Sequence, residues 1–483
     1  MHYENQDIIV TLDKFKKISK TNKKWILIHR PNIILNEKLA DIIKLLENQK
    51  REFSIFYCDE DHLSEDKKRS GPVFKPAWNR ELFWADPFYS SHWIVSTKLF
   101  KEVFKEYKNC KNLSFENLVF RLIKYLSLRN RETNIKHMPL ILSHRQSDFY
   151  NFYNNAFLKG YKIDLCNHIK EITSKQIKVK EDDSDPRNLF INWPLPKENL
   201  LSVIIPTRDK LNILKKCIDS IYRYKAGCNL ELIILNNNSI NKSTFNYLEE
   251  FSRKSNSKIL TRVFNYNDKF NYSKINNFGV EKALGDTILL LNNDVEFRSD
   301  EWGFHLSSNA NRRDIGCVGA KLFFEDNTIQ HAGVVLGIGG VAGHSHKYFN
   351  SNSEGYCRRL NLIQEYSAVT AACLCITKSK WMKIGGLDEV NLAVNYNDVD
   401  FCLRARKYNL KNIFLPQVKA IHLESKTRGK PQGDAYIKWR KEYKFMKKKW
   451  GNLLQSDPYY SPHLSILEED WSITINESKL FVR

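Results

Sequence analysis

Between Leu289 and Glu296 the chain reads LLLNNDVE, an aliphatic run that stops abruptly at two asparagines and an acid. A short apolar run bounded by polar residues is the pattern of a strand buried on both faces, which is what a parallel sheet covered by helices requires. Ligands in open α/β sheets bind where such strands end, so Asp294 is expected at an active-site rim. A plainer reading makes it a cap for a helix starting near Ser299, and the surroundings must decide.

Upstream, the sequence from Leu200 runs as strand LLSVIIP, turn TRDK, amphipathic helix NILKKCIDSIYRY and strand LELIIL ending in NNNS. This is a βαβ unit, with a parallel pair and a nucleotide-sized crevice at its carboxyl edge. A further helix around residues 273–283 leads into the strand that delivers Asp294. Before all this, residues 181–199 (EDDSDPRNLFINWPLPKEN) hold acids and three prolines and read as a linker.

At 483 residues with 42% apolar content the chain has material for about three domains. Its N-terminus, MHYENQDIIVTLDKFKK, has no apolar signal core, and no stretch approaches the roughly 18 apolar residues of a membrane helix. The ten cysteines are scattered, with no CxxC, and Cys217, Cys317, Cys373 and Cys375 sit in apolar runs as reduced thiols would. A cytoplasmic protein is expected, placed at most at the inner face of the cell membrane.

The net charge of +21 is spread along the chain, without a helix-turn-helix, zinc-finger or RNA-binding signature, so nucleic acid is not an expected partner. An anionic membrane surface or phosphorylated substrates fit better. One segment concentrates the charge: residues 435–450 (AYIKWRKEYKFMKKKW) carry seven basic residues and one acid, interleaved with Tyr436, Trp439, Tyr443, Phe445, Met446 and Trp450. It reads either as an interfacial helix or as a surface helix whose aromatics pack inward.

VIIPTRD, LIILNNNS, FNYSKINNFGVEKALGDTILLLNNDVEF, GCVGAKLFFEDNTIQHAGVVLGIGGVAGHSHK, YSAVTAACLCITKSKW, IGGLDE, NYNDVDFCLRARKYN and IHLESKTRG follow in this order. Together they resemble the GT-A glycosyltransferases of family 2, in the branch that builds bacterial surface polysaccharides and includes rhamnosyltransferases. The resemblance spans residues 200–430. It implies an inverting, metal-dependent enzyme that moves a sugar from a dTDP- or UDP-sugar to a hydroxyl of a glycan or lipid-linked acceptor in O-antigen or capsule synthesis.

On that resemblance Asp294 is the metal-binding carboxylate, His422 completes the shell of a Mg²⁺ or Mn²⁺ ion, and Asp398 is the general base. A diphosphate leaving group calls for such a hard cation, and an attacking hydroxyl for a base. Relatives often carry acids where this chain has Asn236, Asn292 and Asn397. The donor nucleotide is expected against Pro206, Thr207, Arg208, Asp209, Asn236, Asn292 and Asn293, although Thr207 and Asp209 would equally serve as caps. His331, Asn397 and Asp400 are candidate contacts to donor sugar or acceptor; Asp400 is alternatively an ion-pair partner of Arg404 at i+4. The glycine-rich stretch 331–347 suggests a mobile cover that excludes water. Zinc binding by His331, His344 and His346 lacks a nearby cysteine or carboxylate.

The N-terminal part repeats the order of the later motifs. KKWILIHRPNIILNEKLADII parallels GDTILLLNNDVEFRSDEW, FSIFYCDEDHL parallels GCVGAKLFFED, and SSHWIVSTKLF parallels TAACLCITKSKW. SFENLVFRLIKY parallels NYNDVDFCLRARKY, and MPLILSHRQ parallels VKAIHLES. The first copy has His29, Arg30, Pro31 and Asn32 in place of the asparagines and acid, Asn117 in place of Asp398, and His144 opposite His422. Asp59, Glu60 and Asp61 read as a solvated strand end, and the role of FKPAW (74–78) is open.

The expected architecture is therefore α/β. Residues 1–180 form a degenerate, truncated, inactive GT-A-like domain and 181–199 a linker. Residues 200–430 form the catalytic GT-A domain and 431–483 a basic, aromatic helical extension. The alternative function is an inactive pseudo-glycosyltransferase that scaffolds a polysaccharide assembly complex. A nucleotidyltransferase would need a glycine-rich phosphate loop after the first strand, and TRDKLN has no glycine.

Overall fold

The computed structural model describes residues 24–30, 33–47, 53–86, 89–106, 114–146, 155–182, 185–423 and 432–474. The N-terminal stretch, Pro31, Asn32 and most of IHLESKTRG lie outside the described residues. The chain divides into two units: unit 1 runs to Ile191 and includes Tyr460–Leu464, and unit 2 comprises Asn192–Tyr459 with Ser465–Thr474. Among the described residues no helix is long and apolar enough to cross a membrane.

Unit 2 is built on the aliphatic runs. Its strands are β9 (Leu200–Thr207), β10 (Asn229–Asn236), β11 (Ile259–Asn265), β12 (Thr287–Leu291), β13 (Val295–Phe297), β14 (Ile315–Phe323), β15 (Ile329–His331), β16 (Val334–Leu336), β17 (Ala342–His344), β18 (Gln364–Tyr366), β19 (Cys373–Thr377) and β20 (Lys411–His422). The main sheet has the order β11-β10-β9-β12-β19-β14-β20-β13. β9 to β12 are parallel neighbours, whereas β19 runs antiparallel to both β12 and β14. Ile204, Ile233, Leu290 and Leu374 are buried completely, as strands covered on both faces must be. The architecture is α/β, as the βαβ pattern requires.

Unit 1 carries β1 (Trp25–His29), β2 (Ile33–Leu35), β3 (Ile55–Leu63), β4 (Arg69–Val73), β5 (His92–Ser96) and β6 (Ile135–Arg145). Their order, β1-β5-β3-β6-β2 with β4 on β3, reproduces β12-β19-β14-β20-β13 with β15 on β14. Directions agree pair by pair: β1 with β5, β3 with β5 and β2 with β6 are antiparallel, and β3 with β6 is parallel. Among the described residues unit 1 has no counterpart of β9 to β11, the half of the sheet where the nucleotide is expected.

Two readings of unit 1 are corrected. Asp59, Glu60 and Asp61 are not a solvated strand end: all three are buried, with imidazole, guanidinium and ammonium partners from other segments. Asp59 pairs with His137 at 2.7 Å, Asp61 with His144 at 2.5 Å and Arg69 at 2.6 Å, and Glu60 with Lys75. Lys75 is the lysine of FKPAW, so that motif ties unit 1 together internally. Nor does His144 occupy the position of His422. His422 lies opposite Val295 at the start of β13, whereas Arg145 lies opposite Ile33 at the start of β2; a one-residue offset turns His144 to the other face.

The stretch read as a linker contains β8 (Leu189–Asn192), paired with β7 (Lys178–Glu181). Leu189, Ile191 and Trp193 bury their side chains, which a free linker would not do.

Among the described residues, six helices flank the sheet of unit 2: α1 (Leu211–Arg223), α2 (Lys242–Ser252), α3 (Tyr272–Lys282), α4 (Trp302–Ala310), α5 (Lys378–Ile384) and α6 (Asn397–Lys407). A seventh, α7 (Gly433–Trp450), is the basic, aromatic segment. Met446 and Trp450 are buried, and Trp439 and Tyr443 are partly so. Trp439, Tyr443, Phe445 and Trp450 therefore face inward, whereas Tyr436 and Ile437 are exposed; Arg440, Lys441, Lys444 and Lys448 are left on the exposed side.

Candidate active site

At the carboxyl edge of the unit 2 sheet lies a cavity of about 890 Å³. Thr207 reaches it from the end of β9, Asn292, Asn293 and Asp294 from the β12–β13 connection, Asp398 from the first turn of α6, and His422 from the end of β20. Four segments more than 200 residues apart at their extremes thus deliver the expected catalytic and metal-binding side chains to one space.

Asp294 Oδ1 is 3.1 Å from His422 Nε2. The contact is close enough for an ion pair, but Oδ1 is buried and accepts no well-directed hydrogen bond. Burial pushes the carboxyl upward, yet the nearness of the His422 imidazole outweighs this and holds it below the usual carboxylate range. His422 Nδ1 meets Gln330 Oε1 at 2.7 Å, and Asn292 Nδ2 lies 3.3 Å from Nε2. Among the described residues no three His, Cys, Asp or Glu side chains converge as a metal cluster. A carboxylate and an imidazole with an under-bonded buried oxygen nevertheless suit a hard cation whose remaining ligands are water and phosphate oxygens.

Asp398 is half-buried. Its Oδ1 accepts from the Val399 N–H (2.8 Å) and its Oδ2 from the Ala371 N–H (3.1 Å), so the carboxylate is oriented while lone pairs still face the cavity. Tyr272, which the sequence reading did not single out, donates to the Ala371 carbonyl at 2.8 Å. Burial and the charges of Asp398 and Asp294 push its hydroxyl far upward, so it stays a neutral donor. The preceding loop is held from α7: Glu442 accepts from the backbone N–H groups of Val394 and Asn395, and Trp439 Nε1 donates to the Tyr396 hydroxyl.

Pro206, Thr207, Arg208, Asn292, Asn293 and Asn397 also line the cavity. Asn293 Nδ2 donates to Thr207 Oγ1 at 2.9 Å, joining the two strand ends, and Asn397 Nδ2 donates to the Val394 carbonyl.

Four candidates do not line it. Asp209 accepts from the N–H groups of Ile240 and Asn241 and serves as a cap. Asn236 donates to Asn265 Oδ1 and accepts from Ser239, while its neighbour Asn237 lines the cavity. Asp400 is fully buried between Arg404, Lys449 and Trp450 Nε1, which anchors α7. His331 is buried against His344, with their Nδ1 atoms 2.8 Å apart, and burial followed by the charges of His344 and His422 pushes its pKa well down. His346 is engaged by Ser345 and Tyr356, so the three histidines share no metal position.

The glycine-rich stretch forms the hairpin β16–β17, with Val334 opposite His344. Gly333 turns the chain into it at φ +100°, where a Cβ would fall inside the Tyr366 ring. The expected mobile cover is tethered: Glu469 accepts from the His344 N–H and pairs with Lys347, and Trp471 stacks on His346.

The matching place in unit 1 holds only about 20 Å³, with Arg30, Phe115 and Glu116 among its walls. Arg30 pairs with Glu116 at 2.6 Å and covers the Phe115 ring. Asn117 bonds to Asp164 and Arg121.

Residues 202–333 match the family model Glycosyl transferase family 2. The chain is 34% identical over 426 residues to the uncharacterized protein y4gI of Sinorhizobium fredii (strain NBRC 101917 / NGR234), covering 87% of this chain and 46% of that protein. It is 28% identical over 428 residues to the O-antigen biosynthesis protein RfbC of Myxococcus xanthus, covering 87% and 32%. The chain thus spans less than half the length of these curated relatives. Among solved structures, GalNAc-T7 with UDP, GalNAc and Mn²⁺ aligns at TM-score 0.42 and 14% identity, over 53% of this chain and 49% of that one. The mannosyltransferase PcManGT from Pyrobaculum calidifontis, in complex with GDP-Man and Mn²⁺, aligns at 0.38 and 12%, over 55% and 68%.

Proposed function

We propose that this chain, which carries a family 2 glycosyltransferase domain over residues 202–333, is an inverting, metal-dependent glycosyltransferase. It moves a sugar from a nucleotide-diphosphate donor, dTDP- or UDP-linked, to a hydroxyl of a glycan or lipid-linked acceptor in surface polysaccharide synthesis. The observation that supports this most is the meeting of Asp294, His422 and Asp398 in one cavity of about 890 Å³. The name of the Myxococcus xanthus relative supports the O-antigen context.

In this reading Asp398 takes the proton of the acceptor hydroxyl as its oxygen attacks the anomeric carbon on the face opposite the leaving diphosphate, which inverts the configuration. Val399 and Ala371 hold that carboxylate in place, and the β16–β17 hairpin excludes water from the donor. Asp294 and His422 would hold a Mg²⁺ or Mn²⁺ ion, which would supply positive charge to stabilise the departing phosphate. Residues 200–430 form the catalytic domain. Unit 1 is a truncated copy whose corresponding crevice is closed by Arg30 and Glu116.

The test is release of nucleoside diphosphate from a panel including dTDP-rhamnose and UDP-hexoses, with Mg²⁺ or Mn²⁺ against EDTA. Turnover of one donor, abolished by EDTA, is expected. Folded protein that neither turns over nor binds any donor in a metal-dependent way, even with lipid-linked acceptors, would favour the scaffold, a reading kept in view by the amides at 236, 292 and 397.

Acceptor delivery by a membrane is the finer part of the proposal. Arg440, Lys444 and Lys448 recur at i, i+4 on the exposed side of α7, with Lys441 beside them, a stripe suited to anionic headgroups. Sedimentation with phosphatidylglycerol vesicles should bring the protein down at low salt, and Lys441→Glu/Lys444→Glu/Lys448→Glu should abolish this. Equal binding to phosphatidylcholine vesicles would sink the idea.

A further inference from the structure

We infer that Gln330 is the positioning residue that presents His422 to the divalent cation, an inference that rests on the metal-dependent reading above. Gln330 is buried in unit 2, yet its side chain spends both ends on a single residue. Its Oε1 lies 2.7 Å from His422 Nδ1, and its Nε2 donates to the His422 carbonyl at 3.4 Å. The second contact fixes the amide, since a carbonyl only accepts and must face the NH₂ end. The oxygen end therefore faces Nδ1, so Nδ1 carries the ring proton and Nε2 presents a lone pair.

That lone pair is aimed at the cavity, 3.1 Å from Asp294 Oδ1. Two acceptors so placed repel each other unless a cation or a proton lies between them. The Asn292 amide at 3.3 Å is the neutral group near enough to satisfy Nε2 otherwise. Orientation of a ligating imidazole through its other nitrogen fixes both the tautomer and the ring angle.

The backbone supplies an independent reason. β15 pairs with β14 through Leu322↔His331 and Phe323↔Ile329, so two adjacent residues of β14 oppose the ends of a three-residue stretch. Gln330 is the extra, bulged residue, and bulges beside active sites re-aim a side chain. Without the bulge, the alternation of β15 would not send Gln330 towards β20.

The test is Mn²⁺ titration of the full chain, in the presence of UDP, followed by the electron paramagnetic resonance signal of free Mn²⁺. Gln330→Leu should weaken Mn²⁺ binding roughly 10- to 100-fold, whereas Gln330→Glu, which still accepts the Nδ1 proton, should restore it. Nitrogen-15 NMR of the wild-type imidazoles adds a readout that needs no variant: His422 should carry its proton on Nδ1 without metal. Wild-type affinity in Gln330→Leu, or a proton on Nε2 alone, would overturn the role of Gln330 while leaving the metal reading intact. Wild-type protein that binds no Mn²⁺, or binds it equally well as Asp294→Asn, would overturn both.

Discussion

Asp398→Asn is expected to slow sugar transfer by roughly 10²- to 10⁴-fold, the usual contribution of a positioned base, and to leave Mn²⁺-dependent donor binding within a few-fold of wild type. The substitution preserves size and keeps an oxygen able to accept the Ala371 N–H, so the loop need not move. What it removes is the proton acceptor. Its amide nitrogen would face either the Val399 N–H or the attacking hydroxyl, and neither gains from a donor. Asp400→Asn separates this from a general effect of charge on α6. Asp400 is sealed between Arg404, Lys449 and Trp450, so its loss should lower stability and loosen α7, and transfer should fall through the 394–396 loop that α7 holds, by less than in Asp398→Asn. Single-turnover transfer and donor titration on both variants would decide it. A rate within tenfold of wild type for Asp398→Asn would reject Asp398 as base, as would an equal loss in folded Asp400→Asn.

The parts of this molecule that the sequence discloses are those where one physical requirement acts locally. Strands covered on both faces must be aliphatic, so β9, β10 and β12 stand out, and the side chains that follow β12 and end β20 are placed at the sheet edge by topology alone. Asp294, His422 and Asp398 are legible for that reason together with the family resemblance. Polar residues at turns are not, because capping and ligand binding call for the same side chains. Asp209 and Asn236 spend theirs on neighbouring backbone and side-chain groups, while Asn237, one position on, lines the cavity. Gln330 is hidden by the bulge in β15: the sequence directs attention to His331, and the backbone turns its neighbour to His422. Unit 1 hides its charges in another way. Asp61 meets His144 across 83 positions, and no local pattern tells a carboxylate so paired from one in water.

That buried charge cluster carries the second large effect. Lys75→Met should cost unit 1 about 3–5 kcal/mol, the usual penalty for stranding a buried charge. Lys75 Nζ donates to the Cys58 carbonyl at 2.7 Å and to Ser90 Oγ at 3.2 Å, and it pairs with Glu60, beside His92 and Arg145. Burial pushes the Glu60 carboxyl upward, but Lys75 above all, then Arg145 and His92, bring it down to about 2. A carboxyl depressed in the folded state contributes stability that is present above its unfolded value near 4.3 and is lost as pH falls towards 2. His92 and His168, each pushed down to about 3 chiefly by burial, act in the same direction: unfolded chains take up their protons below about pH 6.5, and the folded unit does not. Between roughly pH 5.5 and 4 the two histidines should therefore lower stability by about 3 kcal/mol per pH unit. In Lys75→Met the added loss from Glu60 below pH 4 should disappear, because the main cause of its depressed pKa is gone. Glu60→Leu/Lys75→Met should recover part of the stability at pH 7, since the two facing charges go together, while Arg145 and the Ser91 N–H lose Glu60 as a partner. Hydrogen exchange of peptides from β3 and β6 reads unit 1 within the full chain. Protection in Lys75→Met within about 1 kcal/mol of wild type at pH 7 would show that water reaches the cluster, and the network would then be no part of what holds unit 1 together.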